Sequence, residues 1–158
     1  DHAMKYKYER GNVPSPGFTS GPCLFKDTMQ LYSFAKNEFS LGINAMTTNE
    51  GIVNYVIEKI KKEYDLANLK IGILGMAFKP EVDDSRASLS YKLKKTLSMF
   101  AKKVLTTDPY VKNDKEILTL ANTIKNSDIL ILATPHKIYR KIKTKKKIID
   151  IWNFYKIK

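Results

Sequence analysis

The sequence predicts an α/β protein: a parallel sheet with helices on its faces, preceded by a small helical region. Three observations carry that prediction. Short apolar runs alternate with helical patterns over residues 67–158, the rhythm that builds parallel sheets. Apolar residues at three- and four-residue steps fill 28–66, the mark of helices. Pro14, Pro16, Gly17, Gly21 and Pro22 punctuate residues 1–27, which read as loop. The whole spans 158 residues, enough for one domain or one domain with an appendage.

The elements follow in order. Asp1 to Ala3, ahead of Met4, have the look of a cloning scar and carry no weight in the fold. From Thr28 to Tyr64 the residues Val53, Val56, Ile57, Ile60 and Tyr64 mark a helical face, with Gly42 and Gly51 expected as breaks between two or three helices. "KIGILG" (Lys70 to Gly75) is a buried strand. A helix follows, with Leu89, Leu93, Leu97 and Phe100 on one face. "KKVLTTDP" is the second strand and its exit. "NDKE" from Asn113 predicts a capping-box start, continued by Ile117, Ala121 and Ile124. "DILILAT" is the third strand, Thr134 and Pro135 open a short helix, and "KKIIDI" is the fourth strand.

Composition narrows the partners. Hydrophobic residues make up 43% of the chain, enough for a core, and no apolar run approaches the roughly 20 residues of a membrane helix. The N-terminus is polar and charged, without a secretory pattern. One cysteine makes no internal disulfide, so a reducing cytoplasm is expected. The net charge is +12, from 28 Lys and Arg against 16 Asp and Glu. That favours anionic partners. A solvated basic surface is the first reading, and nucleic acid is the weaker partner, its best case being the run from Lys137 to Lys147. Two histidines and one cysteine argue against structural zinc, and no P-loop or G-x-S-x-G elbow is present.

Ligands of open parallel sheets bind beyond the carboxyl ends of the strands. Those ends place Lys79, Asp83, Asp84, Arg86, Asp108, His136 and Trp152 on a binding edge. The first turn, "GILGMAFKP", lacks the G-x-G-x-x-G spacing that lets a backbone approach a dinucleotide pyrophosphate, and Phe78 fills it. The sheet is therefore not expected to bind NAD. Lys79 can still meet a phosphate as a point charge. His136 reads as ordinary surface.

Cys23, the only thiol, lies in "PGFTSGPCLFKDT" with Lys26 and Asp27 close behind. A lone cysteine is usually a small buried apolar residue. "GPCLFKD", "TTNEG", "GILGMAFKPEVDDSRAS" and "TTDP", in that order, change the odds. Together they resemble the C-terminal half of the UDP-glucose/GDP-mannose dehydrogenase family, from about Arg10 to Asn153.

The resemblance implies an enzyme that oxidises the C6 alcohol of a nucleotide-sugar to a carboxylate with NAD. It implies a homodimer made by the central helical region, and a Rossmann-like domain over 67–158 that holds the nucleotide-sugar, most often a UDP-sugar. The family's N-terminal NAD domain has no counterpart in these residues, so this chain alone is expected to be inactive. Cys23 would be the nucleophile, forming a thiohemiacetal and then a thioester. Such thiols ionise beside cations or helix N-termini, and helix entry near Thr28 together with Lys26 suits that. Asp27 would activate the hydrolytic water. Lys79 matches the family lysine that contacts the nucleotide-sugar. Arg10 would reach the neighbouring subunit's substrate. Phe18, Gly21, Lys26 and Trp152 would line the pocket, Trp152 by stacking on a base where several members carry an arginine. Asp83, Asp84 and Arg86 would brace the loop and cap the following helix, and Asn49 would pack or hydrogen-bond. The reading from a different class is a non-catalytic nucleotide-sugar-binding or assembly module.

Overall fold

Apolar runs bounded by polar residues become the strands. The computed structural model describes residues 17–155. Its single sheet contains β1 (Lys70–Leu74), β2 (Lys103–Thr107), β3 (Ile129–Leu132) and β4 (Ile148–Asp150). All pairings are parallel and the order is β2-β1-β3-β4. The two central strands are apolar almost throughout because both of their faces are covered.

Strand alternation divides the core in two. Ile71, Ile73, Ile129 and Ile131 face one side. There they meet Leu89, Leu93 and Leu97 of α3 (Leu89–Leu97) and Val53, Val56, Ile57 and Ile60 of α2 (Ser40–Lys61). Leu74, Leu130 and Leu132 face the other side, with Tyr139 and the half-buried Leu120 and Ile124 of α4 (Leu120–Asn126). The fold is the expected Rossmann-like α/β sheet. The helix α2 shares its core instead of standing apart from it.

Several local expectations are corrected. The loop ends sooner than Asp27: α1 (Leu24–Phe34) begins directly after Cys23. No residue of α1 is buried, so no apolar stripe marked its start. The break between α1 and α2 falls at Lys36 and Asn37, whose φ values of +51° and +66° end the first helix. Gly42 and Gly51 both lie inside α2. "NDKE" forms a turn, not a helix start; Thr119 caps α4 instead, its Oγ1 accepting from the Asn122 N–H at 3.3 Å. Asp114 is diverted to the Tyr91 hydroxyl (2.8 Å) and the Glu116 N–H (2.9 Å). Phe100 lies past the end of α3 and is 40% exposed, with the Lys61 ammonium over its ring. Thr134 does not open the short helix: its hydroxyl donates to Ala77 O at 2.7 Å, and a 3-10 turn starts at Lys137.

Candidate functional site

The segment 17–22 is docked residue by residue onto the sheet's carboxyl edge. Gly17 lies against the Trp152 indole so closely that a Cβ there would stand 2.2 Å from the ring. Trp152 is fixed in turn by Nε1 donating to Ala133 O (2.8 Å) at the exit of β3. Phe18 enters the core at 3% exposure. Thr19 O accepts from Asn49 Nδ2 of α2 at 2.6 Å. Ser20 Oγ donates to Phe78 O at 3.3 Å, and Gly21, at φ +136°, rests on the Phe78 ring. Phe78, which spoils the turn as a dinucleotide cradle, is the seat of the cysteine loop.

This docking delivers Cys23, exposed, to the first position before α1. There the free N–H groups and dipole of a helix favour negative charge. Its carbonyl accepts the first bond of the helix from Asp27 N at 2.8 Å. Asp27 lies one turn on, paired with Lys26 at 3.3 Å on the open surface. Arg86 makes a bidentate pair with Asp84 (2.7–3.1 Å). The Arg86 hydrogen bond holds the Asp84 carboxyl below its ordinary range. Asp84 raises Arg86 in return. The Asp84 carbonyl closes the loop by accepting from Phe78 N at 3.0 Å. Lys79, beside Phe78, is exposed, its ammonium 5.4 Å from the centre of the Phe78 ring.

Beneath that loop sits a buried polar hub. The Asp108 carboxylate, at the exit of β2, accepts from Met76 N (2.6 Å) and Ala77 N (3.0 Å) of the first turn. It also accepts from Tyr110 N (2.8 Å) and Val111 N (3.1 Å), and it meets His136 Nε2 at 3.0 Å. Burial works to raise this carboxyl, but the bonds from His136, Tyr110, Ala77 and Met76 prevail and take it down to about 2. The His136 side chain has no exposed surface, and its Nδ1 accepts from Glu81 N at 3.0 Å. The first-turn amides that would cradle a pyrophosphate are thus already occupied by a carboxylate of the chain itself. These residues do not fit NAD.

Gly21 rests on Phe78, the residue before Lys79, Asn49 holds the backbone of Thr19, and Trp152 lies against Gly17. Phe18 is corrected: its ring is core, because only its backbone follows the loop. Trp152 presents less than a free ring, since Gly17 covers one face. Ser88, not Asp83 or Asp84, caps α3, its Oγ accepting from Ser90 N at 3.2 Å. Asp83 is exposed. Arg10 lies outside the described residues. His136 is corrected from surface to fully buried. The basic run is partly structural, for Lys146 Nζ donates to the carbonyls of Ile124, Lys125 and Ser127 at the end of α4. Arg140 lies over the Phe154 ring at 4.1 Å.

The chain is thus a parallel α/β sheet with a cysteine loop docked on the turn that follows its first strand. The chain belongs to the UDP-glucose/GDP-mannose dehydrogenase family, whose UDP binding domain matches residues 72–157. It is similar to the UDP-N-acetyl-D-mannosamine dehydrogenase of Pyrococcus horikoshii, with 30% identity over 141 residues. That match covers 85% of this chain and 33% of the relative. The corresponding Campylobacter jejuni enzyme is 27% identical over 152 residues, covering 89% of this chain and 37% of its own length. The chain thus spans about a third of the curated relatives it matches. Among solved structures, the Pyrococcus horikoshii UDP-D-ManNAc dehydrogenase superposes with a TM-score of 0.79 at 28% identity, over 96% of this chain and 39% of that one. The UDP-glucose dehydrogenase of Pyrobaculum islandicum shares the fold, with a TM-score of 0.81 at 19% identity over 98% of this chain and 40% of that one. Among the described residues no helix is long and apolar enough to cross a membrane.

Proposed function

We propose that this chain forms the nucleotide-sugar half of an NAD-dependent nucleotide-sugar 6-dehydrogenase, with a UDP-N-acetylhexosamine as substrate. The observation that supports this reading is the docking of Gly17 on Trp152 and of Ser20 and Gly21 on Phe78, the residue before Lys79, two positions ahead of Cys23. The names of the similar curated enzymes support an N-acetylated sugar over UDP-glucose.

In this reading Lys79 meets the diphosphate and Trp152 offers its uncovered face to the base. The Cys23 thiolate adds to the C6 aldehyde of the sugar, forming a thiohemiacetal. The acyl group later leaves the sulfur to water, giving the carboxylate and restoring the thiol. Asp27 takes the proton of that water, which requires it to leave Lys26. The oxidations consume two NAD, held by residues other than those described here, and this chain alone turns nothing over. Arg10 reaches toward the neighbouring subunit's substrate. The homodimer forms through the helical region 28–66, where Leu31 (49%), Phe34 (85%) and Leu41 (77%) stand exposed. The enzyme works in the cytoplasm.

Alkylation tests the reading directly, because Cys23 is the single thiol. UDP-N-acetylmannosamine should slow its reaction with iodoacetamide, and UDP alone should slow it less. Equal rates with and without both ligands would refute the placement of the thiol at the sugar.

A further inference from the structure

We propose that His136 is a positioning residue for the turn that carries Lys79, acting as the neutral Nε2–H imidazole that accepts the Glu81 N–H. The inference rests in its functional part on the reading that Lys79 meets the nucleotide-sugar.

The geometry fixes the tautomer. Glu81 N donates to Nδ1 at 3.0 Å, so Nδ1 carries a lone pair. The proton is then on Nε2, directed at Asp108 Oδ2 at 3.0 Å. Other groups around the ring agree with this arrangement. Tyr110 is tilted against it at 5.0 Å and Tyr139 meets it edge-on at 5.5 Å. The Glu81 carboxylate, 3.7 Å from Nδ1, is occupied elsewhere: Oε1 accepts from Lys137 N at 2.8 Å and Oε2 from the Tyr110 hydroxyl at 3.0 Å.

The consequence falls on Lys79. Asp108 pins the span 76–81 at one end through Met76 N and Ala77 N. His136, held by the same carboxylate, pins the other end at Glu81. Lys79 lies between the two anchors. Pro80 stiffens the path, because its ring fixes φ and restricts the residue before it. Glu81 is held at φ +61°, a conformation that disfavours a non-glycine residue and persists only when surroundings impose it. The Glu81 bonds supply that imposition. Phe78, the seat of the cysteine loop, lies within the same span, so one buried imidazole sets both the lysine and the surface on which the thiol loop rests.

Two substitutions separate the two nitrogens. His136→Asn keeps an acceptor near the Nδ1 position and loses the Nε2 donor; His136→Gln does the reverse. In ligand-free protein, amide exchange at Glu81 should quicken in H136Q and stay near wild type in H136N. UDP affinity should fall about tenfold in H136Q, the loss expected from freeing one buried hydrogen bond, and less than threefold in H136N. Equal exchange at Glu81 in H136Q and wild type would overturn the proposal, as would equal losses of UDP affinity in the two variants. Imidazole ¹⁵N shifts of the unmodified protein supply a check that needs no variant to fold: a protonated Nδ1 would also overturn it. Failure of the wild type to bind UDP would count against the proposed function, while the exchange comparison would still decide the role of His136.

Discussion

Asp108→Asn is the perturbation the fold should feel most sharply among polar changes. The carboxylate accepts four backbone N–H bonds as well as the His136 contact. An amide keeps one acceptor oxygen. In its best orientation the oxygen serves Met76, Ala77 and His136, and the new NH₂ faces the N–H groups of Tyr110 and Val111. Two bonds to a charged acceptor are lost, at about 1.5–3 kcal/mol each, for a total of roughly 3–6 kcal/mol. The depressed carboxyl gives a second scale. The carboxyl falls from 3.8 to about 2 in the folded protein, worth roughly 2.5 kcal/mol at about 1.4 kcal/mol per pH unit. Because the folded value is depressed, this stabilisation is complete above pH 3.8 and disappears as pH falls through about 2. Urea unfolding from pH 7 to pH 2 measures both effects. The wild type should lose stability over the acid limb, and D108N should start lower and lack that part of the slope. A D108N variant within about 1 kcal/mol of wild type at pH 7, with an unchanged acid limb, would refute the hub.

Other consequences follow from the same contacts. Gly17→Ala places a methyl group 2.2 Å from the indole of Trp152; the emission of this single tryptophan should shift to the red, and an unshifted spectrum would contradict the docking. Lys79→Ala should weaken UDP binding by about 10- to 100-fold, the loss expected for a charged hydrogen bond, with no change in melting temperature. Lys146→Ala should cost about 1–3 kcal/mol by uncapping α4, whereas Lys145→Ala should stay within about 0.5 kcal/mol; equal costs in urea unfolding would reject the inward role of Lys146. Cys23→Ser should leave stability within about 0.5 kcal/mol, since the side chain is exposed, and should abolish turnover when the NAD-binding partner residues are supplied.

The two central strands were legible because "KIGILG" and "DILIL" are apolar runs with polar ends, and burial on both faces demands that pattern. Leu89, Leu93 and Leu97 gave away α3 by their spacing. The start of α1 was not legible: a helix that buries none of its residues leaves no periodic trace. "NDKE" misled because Asp114 could serve either a helix start or Tyr91, and the tertiary partner won. The edge residues Lys79 and Trp152 could be placed from chain direction alone. The burial of His136 could not, since it depends on Asp108 and Glu81 arriving from two other loops. Phe18 was misplaced for a similar reason, its loop being held by backbone while its ring turns into the core.

In the proposed function this sheet holds a nucleotide-sugar and not NAD. Calorimetric titration of the chain with UDP-N-acetylmannosamine and, separately, with NAD tests it most directly. Heat is expected from the nucleotide-sugar and none from NAD. Heat from NAD alone would contradict both the family's assignment of this half to the sugar and the closure of the first turn by Asp108.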